Sequence, residues 1–428
     1  MLPLVNVGHK SLADYASLTT RGLLDEIRRL AAPLEGKRVL QLSATAFGGG
    51  VAEIQYTLVP LMQDAGLEVE WRIIHGAEEF FEVTKAIHNG LQGNPVGLDR
   101  EQRACFARYQ ELNAQEVDAS EYDFVVVHDP QPVGLIDHLG GSPAKWIWRG
   151  HIDFSTPNED VLAFLLPSLA RYDAAIFHLA AYAPRRPGLP QCVIWPPAID
   201  PLAPKNMALS VEDAAYIVDQ FGIDPERPLL TQVSRFDPWK DPQGVIDAYR
   251  IVKKKHPQVQ LALVGSMAQD DPEGWALQEQ TVAHADGDPD IFILSNFNNV
   301  GAVEVNAFQV HSAAVIQKST REGFGLTVSE ALWKGRPMVG GNVGGIVMQI
   351  QDGVTGWLVD SPETCAAACI EILADPGAAR ARALLGKEHV RRHYLTPRLL
   401  RDWLVLFNVL LGNDVGDAAL EVVPATAA

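Results

Sequence analysis

AAVIQKSTREGFGLTVSEALWKGRPMVGGN, residues 313–342, reads as strand, turn, helix and strand in thirty residues. AAVIQKS (313–319) is apolar on successive positions, the mark of a strand buried on both faces. TREGFG is a glycine-bearing turn, LTVSEALWKG a helix, and PMVGGN (337–342) a second strand. Two carboxylates, Glu322 and Glu330, stand on either side of the Gly-Phe-Gly turn.

The same alternation extends outward. Upstream lie PLLTQVSRF (228–236), the helical PQGVIDAYRIVKKKH, VQLALVG (259–265) and IFILSNF (291–297). An earlier series holds KRVLQLSAT (37–45), LEVEWRII (67–74), YDFVVVHDP (122–130), AKWIWRGHID (144–153), YDAAIFHL (172–179) and QCVIWPP (191–197). Strands separated by helices imply an α/β fold with two doubly wound, Rossmann-like domains. PPAIDPLAPKN (196–206) has four prolines and no periodicity, so it reads as a linker. The expected division is 1–203 and 204–395, with the chain from 396 to 428 packing back on the first domain. Such a pair can face a ligand with the carboxyl ends of its strands across a cleft.

A chain of 428 residues is long enough for two cores. Its 47% hydrophobic and 21% charged content is ordinary for a globular protein. The formal net charge of -18 argues against a nucleic-acid surface, which needs clustered Lys and Arg. The cysteines Cys105, Cys192, Cys365 and Cys369 read as buried thiols of a reducing compartment. Cys365 and Cys369 could meet on one helical turn, but no nearby ligand completes a metal set. No signal peptide is indicated, and the apolar stretch 403–411 is too short to span a bilayer. A cytoplasmic protein is the expectation.

Four segments carry candidate chemistry. Gly48, Gly49 and Gly50 follow a strand and open a helix, where backbone N–H groups can cradle an anion. The spacing matches neither dinucleotide nor P-loop patterns, and a plain βα turn is the other reading. In VSRFDPWKDP (233–242), Arg235 and Lys240 can hold a diphosphate, or pair with Asp237 and Asp241. Gly323 and Gly325 expose donors beside Glu322. If the segment were helical, Glu322 and Glu330 would lie roughly 12 Å apart, beyond the approximately 5–9.5 Å of paired glycosidase carboxylates. Two separate acceptor roles along one elongated ligand fit better, unless Glu330 is a surface helix residue. At strand ends of the first half stand His151, Asp129 and Asp153, each either structural or facing the cleft. EEFFEVTKAIHNGLQG (78–93) carries Lys85, His88 and Asn89, as a sugar-site lining or as an amphipathic helix.

At these residues the chain resembles retaining GT-B nucleotide-sugar glycosyltransferases: E-x7-E from Glu322 to Glu330, SRFDPWKD, and VGG at 343–345. In the first half GGGVAEIQYTLVPLMQDAGLEVEW, FFEVTKAIHNGLQG, VVVHDPQPVGL, WIWRGHID and WPPAIDPLAPKN resemble the trehalose glycosyltransferring synthases, with the trehalose phosphorylases close by. The resemblance implies transfer of glucose from a nucleoside-diphosphate glucose to glucose, with retention. It assigns Arg235 and Lys240 to the diphosphate, Glu322 to the donor sugar, Glu330 to the ribose and His151 to the reacting carbon. Gly48, Gly49, Gly50, Gly265, Asn296, Gly323, Phe324, Gly325 and Leu326 would complete the donor site. Asp129, Asp153, Lys85, His88 and Asn89 would meet the acceptor. No prosthetic group and no strict metal requirement are implied. The partners would be a sugar and a sugar nucleotide, with a homodimer as an option. Three alternatives remain: a phosphorylase using phosphate or glucose 1-phosphate, a related transferase with another acceptor, and a non-catalytic sugar-nucleotide binder.

Overall fold

The computed structural model describes residues 1–184, 188–267 and 272–423. It divides into two units, Met1–Ala198 with the chain from Thr396, and Ile199–Leu395.

In the first unit the strands are β1 (Arg38–Ser43), β2 (Glu68–Ile73), β3 (Phe124–His128), β4 (Lys145–Arg149), β5 (Ala174–Phe177) and β6 (Gln191–Ile194). The second unit supplies β7 (Leu229–Val233), β8 (Gln260–Gly265), β9 (Ile291–Ser295), β10 (Ala314–Gln317), β11 (Met338–Gly341) and β12 (Trp357–Val359). A last short strand, β13 (Glu421–Val423), returns to the first sheet. The first sheet runs β13-β6-β5-β4-β3-β1-β2 and the second β12-β11-β10-β7-β8-β9. All pairings are parallel except β13 on β6.

The apolar runs are two-sided. Along β3, Val125 and Val127 enter one core of the first unit, while Phe124 and Val126 enter the other. Along β8, Leu261 and Leu263 point into one core of the second unit, and Ala262 and Val264 into its opposite. This is the period of two expected for a sheet covered by helices on both faces.

Each sheet has one place where the strand order reverses. β1 has β2 on one side and β3 on the other, and β7 has β8 on one side and β10 on the other. Connections from the two strands then diverge, leaving a crevice at their carboxyl ends. The glycine loop follows β1 and the Asp129 turn follows β3. The Arg235–Lys240 loop follows β7 and the Glu322 turn follows β10.

The boundary between units lies after Ala198 rather than at 203. The proline-rich stretch is fastened to the second unit. Ile199 N donates to Tyr394 O, and Asn306 Nδ2 donates to the Pro204 and Met207 carbonyls. The helix Thr396–Leu411 belongs to the first unit. Its Phe407 stacks on Phe124 at 4.2 Å, and Trp403 meets Trp195 edge-on. Arg398 at its start donates to the Pro196 and Pro197 carbonyls. Among the described residues, no helix is long and apolar enough to cross a membrane.

Candidate active site

In the second unit the loop after β7 carries two cations in different states. Arg235 has a 65% exposed side chain and one weak ion pair, to Asp237 at 3.4 Å. Lys240 ends a short 3-10 turn, Pro238–Lys240, capped by Asp237. Its Nζ lies 2.6 Å from Glu322 Oε2, across the reversal between β7 and β10. Lys240 therefore pairs with Glu322, and the pairing with Asp241 considered from the sequence is not formed. Asp241 instead caps the helix Pro242–Lys255 through Gly244 N and pairs with the buried Lys318.

Glu322 Oε2 also accepts from Ser319 Oγ at 3.1 Å and Gln317 Nε2 at 3.4 Å. The helix starts only at Leu326, after Gly325 in the left-handed region (φ 81°), so Glu322 stands outside it. Glu330 lies within that helix and is 2% exposed, not a surface residue. It pairs with Lys205 at 3.2 Å and accepts from Gln309 at 3.3 Å. Lys334 Nζ donates to Glu330 O and to Asn206 Oδ1, and burial pushes this lysine down to about 7. The two carboxylates thus take part in separate networks.

The turn between them is tightly placed. Phe324 is buried against Tyr394, and its carbonyl accepts from Gln349 Nε2 at 2.6 Å. Gly323 and Phe324 are overlaid by Gly345, whose missing Cβ would fall 2.5 Å from Phe324 Cα. Gly265 ends β8 under the Phe236 ring, which a Cβ there would strike at 2.2 Å, so that glycine serves packing. Asn296 bridges both backbone groups of Met267, accepting at 2.8 Å and donating at 3.1 Å.

In the first unit a cavity of about 160 Å³ opens where β1 and β3 diverge. Its lining includes Thr45, Gly48–Gly50, His128 and Asp129. Gly48 and Gly49 have φ of 70° and 89°, a conformation that glycine adopts without a Cβ penalty. Asp129 too has a positive φ, 62°. Its Oδ1 accepts from His151 N at 2.8 Å, and its carbonyl accepts from Trp148 Nε1 at 2.9 Å. Desolvation raises the Asp129 carboxyl to about 7.

His151 Nε2 meets His128 Nδ1 at 2.9 Å, with the rings stacked. Desolvation pushes His128 down to about 3 and His151 well below its ordinary value, with the buried Arg149 adding to both shifts. His151, Asp129 and His128 are therefore assembled together. Asp153 is buried and accepts from Ser155 N in its own turn. Lys85, His88 and Asn89 sit on the amphipathic helix Glu78–Leu91 and do not line the cavity, and Lys85 is exposed. Cys365 and Cys369 are buried free thiols. Among the described residues, no group of three or more His, Cys, Asp or Glu is placed to hold a metal.

Sequence reasoning missed Gln41, Gln55, His128, Lys205 and Lys318. Gln41 and Lys318 each left a trace as a polar residue within or ending an apolar strand.

Two doubly wound sheets, each with its polar groups gathered at the strand reversal, make the GT-B fold, and the family matches give the class, a retaining glycosyltransferase. "Trehalose synthase, N-terminal domain" matches residues 41–184, and "Glycosyl transferases group 1" matches 215–388. A trehalose synthase of Rubrobacter xylanophilus is 59% identical over 96% of this chain and 100% of its own. A trehalose phosphorylase of Pleurotus pulmonarius is 27% identical over 92% of this chain and 60% of its own. The solved structure described as "Trehalose-6-phosphate from E. coli bound with UDP-2-fluoro glucose" superposes with a TM-score of 0.70. It is 14% identical over 90% of this chain and 100% of that one, a likeness of fold. The chain belongs to the trehalose synthase family.

Proposed function

We propose that the enzyme transfers glucose from a nucleoside-diphosphate glucose to free glucose, forming trehalose with retention at the donor carbon. The observation that carries the reading is the set of charges around the β7/β10 reversal: the exposed Arg235, and Lys240 bonded to Glu322. A guanidinium fork and an ammonium suit a diphosphate, whose charge grows as the glycosidic bond breaks. Glu322 accepts from donor-sugar hydroxyls while keeping Lys240 in place. Glu330, in the buried network with Lys205, accepts from the ribose. The backbone donors of Gly323 to Leu326 and the Asn296–Met267 bridge complete the donor side.

On the acceptor side, the 160 Å³ cavity with Asp129 and the glycine loop suits one sugar. His151 stands beside it for the donor sugar. Asp153 shapes the loop that carries His151, and Lys85, His88 and Asn89 are assigned to a more remote rim. No metal is required in this scheme, and the enzyme is assigned to the cytoplasm.

The test is incubation with ¹³C-labelled nucleoside-diphosphate glucoses and glucose, with the products read by NMR. Trehalose from at least one donor supports the reading; no disaccharide from any donor overturns it. The phosphorylase relative motivates one competing arm. Trehalose cleavage by inorganic phosphate without nucleotide, at a rate matching synthesis, would assign the cations to phosphate instead. In that case Glu330→Ala would leave turnover intact.

A further inference from the structure

Three polar side chains lie in the core of the first unit, and one of them, His128, also lines the cavity. Gln41 on β1 and Gln55 on the helix Gly50–Asp64 are fully buried, and His128 at the end of β3 is 3% exposed. Buried amides in an apolar sheet are costly unless every group is bonded. Their bonds form a directed chain. His128 Nε2 is 2.7 Å from Gln41 Oε1, and His128 Nδ1 is 2.9 Å from His151 Nε2. The end of the Gln55 amide lies 3.2 Å from Gln41 Oε1 and against His128 Nε2.

We infer that Gln41, oriented by Met62, is a positioning residue: through His128 it fixes the ring proton of His151 on Nε2. The proton accounting runs along the chain. A neutral imidazole has one N–H, and the hydrogen bond at one nitrogen decides the role of the other. Gln41 Oε1 only accepts, so His128 carries its proton on Nε2. His128 Nδ1 is then an acceptor, and His151 must donate to it from Nε2. That leaves the lone pair on His151 Nδ1.

What fixes the first member is a thioether. Gln41 Nε2 faces Met62 Sδ at 3.8 Å, and a thioether has no proton to donate. Turning the Gln41 amide over would set its oxygen against that sulfur and lose both contacts. As placed, Gln55 Nε2 would set a second donor against the protonated His128 Nε2, so the assignment turns the Gln55 amide over: its Oε1, buried without a partner as placed, then shares that proton with Gln41 Oε1. Desolvation keeps both imidazoles neutral, as a single-proton relay requires.

The consequence rests on the proposed function. A His151 ring with its Nδ1 lone pair free accepts a hydrogen bond from a sugar hydroxyl. The other tautomer would donate one, and would lose discrimination for that hydroxyl.

The experiment is histidine-selective ¹⁵N labelling of the full chain with long-range ¹H–¹⁵N correlation. His128→Asn and His151→Asn spectra assign the ring signals. The expected result is both rings protonated at Nε2 alone. A His151 ring protonated at Nδ1 overturns the inference. In the Gln41→Leu/Gln55→Leu double variant, His151 should show mixed tautomers, kcat should fall about tenfold, and KM for the donor should stay within about twofold. Unchanged His151 signals and kcat there would also overturn it. If that variant does not fold, the unsubstituted spectrum still decides. Full activity of His151→Ala would instead remove the proposed role of His151 and leave the tautomer assignment standing.

Discussion

Lys240 and Glu322 are joined by a 2.6 Å ion pair whose side chains are 16% and 9% exposed. The residues are 82 positions apart and lie on the two loops that diverge at the strand reversal of the second sheet. The pair bridges the loops that follow β7 and β10. An anion entering there would meet a cation that is already oriented.

Breaking that pair strands one charge. Lys240→Met and Glu322→Gln should each destabilise the protein by on the order of 2 kcal/mol, below the figure for fully buried pairs. The double variant should lose at least about 1 kcal/mol less than the sum of the singles. Urea titrations measure this. All three should lose roughly 100-fold or more in kcat, because a charge-stabilising donor is gone or misplaced. Additive stabilities would mean that the pair is not formed in solution.

Arg235 offers a cleaner separation. Its side chain is largely in solvent and its ion pair with Asp237 is long, and such surface pairs contribute about 0–1 kcal/mol. Arg235→Ala should leave the urea midpoint nearly unchanged while kcat/KM for the donor falls roughly 100-fold. Retained activity would detach this residue from the diphosphate.

Acid and alkali should stress the first unit from opposite sides. The folded Asp129 carboxyl titrates near 7, above its unfolded value, chiefly by desolvation. Its contribution is present in full below the unfolded value near 4 and is lost as pH rises to about 7. His128, His151 and His178 are shifted the other way, again by desolvation first. Their unfolded forms bind protons below about 6.5, so stability falls as pH drops through that value. Asp129→Asn should therefore gain most in melting temperature above pH 7 and little at pH 4. It keeps an oxygen for the His151 N–H. An equal gain at both pH values would show that Asp129 titrates normally.

The helix Thr396–Leu411 is held to the first unit by its aromatic side. Phe407 is fully buried and stacked on Phe124. Phe407→Ala should cost about 3–5 kcal/mol by the usual loss of a buried ring and the cavity it leaves. Calorimetry should show this as a lower transition for the first unit. A change under about 1 kcal/mol would mean that the helix is not docked there.

What the sequence disclosed follows from how each feature is encoded. β3 and β8 announce themselves because both faces are apolar, and FVVVH and QLALVG leave no other reading. β12 and β13 are three residues each, too short for a pattern. The linker's prolines marked a break but not the unit it is tied to, because Ile199 N–Tyr394 O spans 195 positions in sequence. The cations near Arg235 were visible, yet Lys240's choice of Glu322 over Asp241 depends on which strands are neighbours. His128 hid at the end of an apolar run, beside the Asp129 that drew attention. A surface position stayed open for Glu330 because Lys205 and Gln309, which meet it in the core, come from elsewhere in the chain.

Gly345 tests whether the Gly-Phe-Gly turn is a placed element or a passive link. Its φ is -69°, so any residue could adopt the backbone, and only space demands glycine. An added Cβ would lie 2.5 Å from Phe324 Cα and 2.6 Å from Gly323 O. Both are backbone atoms that cannot rotate away. Gly345 N also reaches Glu322 O, and Gln349 Nε2 donates to Phe324 O at 2.6 Å, so a push at 345 moves the turn and Glu322 together. Gly345→Ala should cost about 1–3 kcal/mol by overpacking. It should also raise KM for the donor roughly tenfold or more, because backbone donors aimed at a ligand lose their geometry. Steady-state kinetics on protein with native circular dichroism measures both effects. A variant with unchanged donor KM would show that the turn's position is not set by its contact with Gly345.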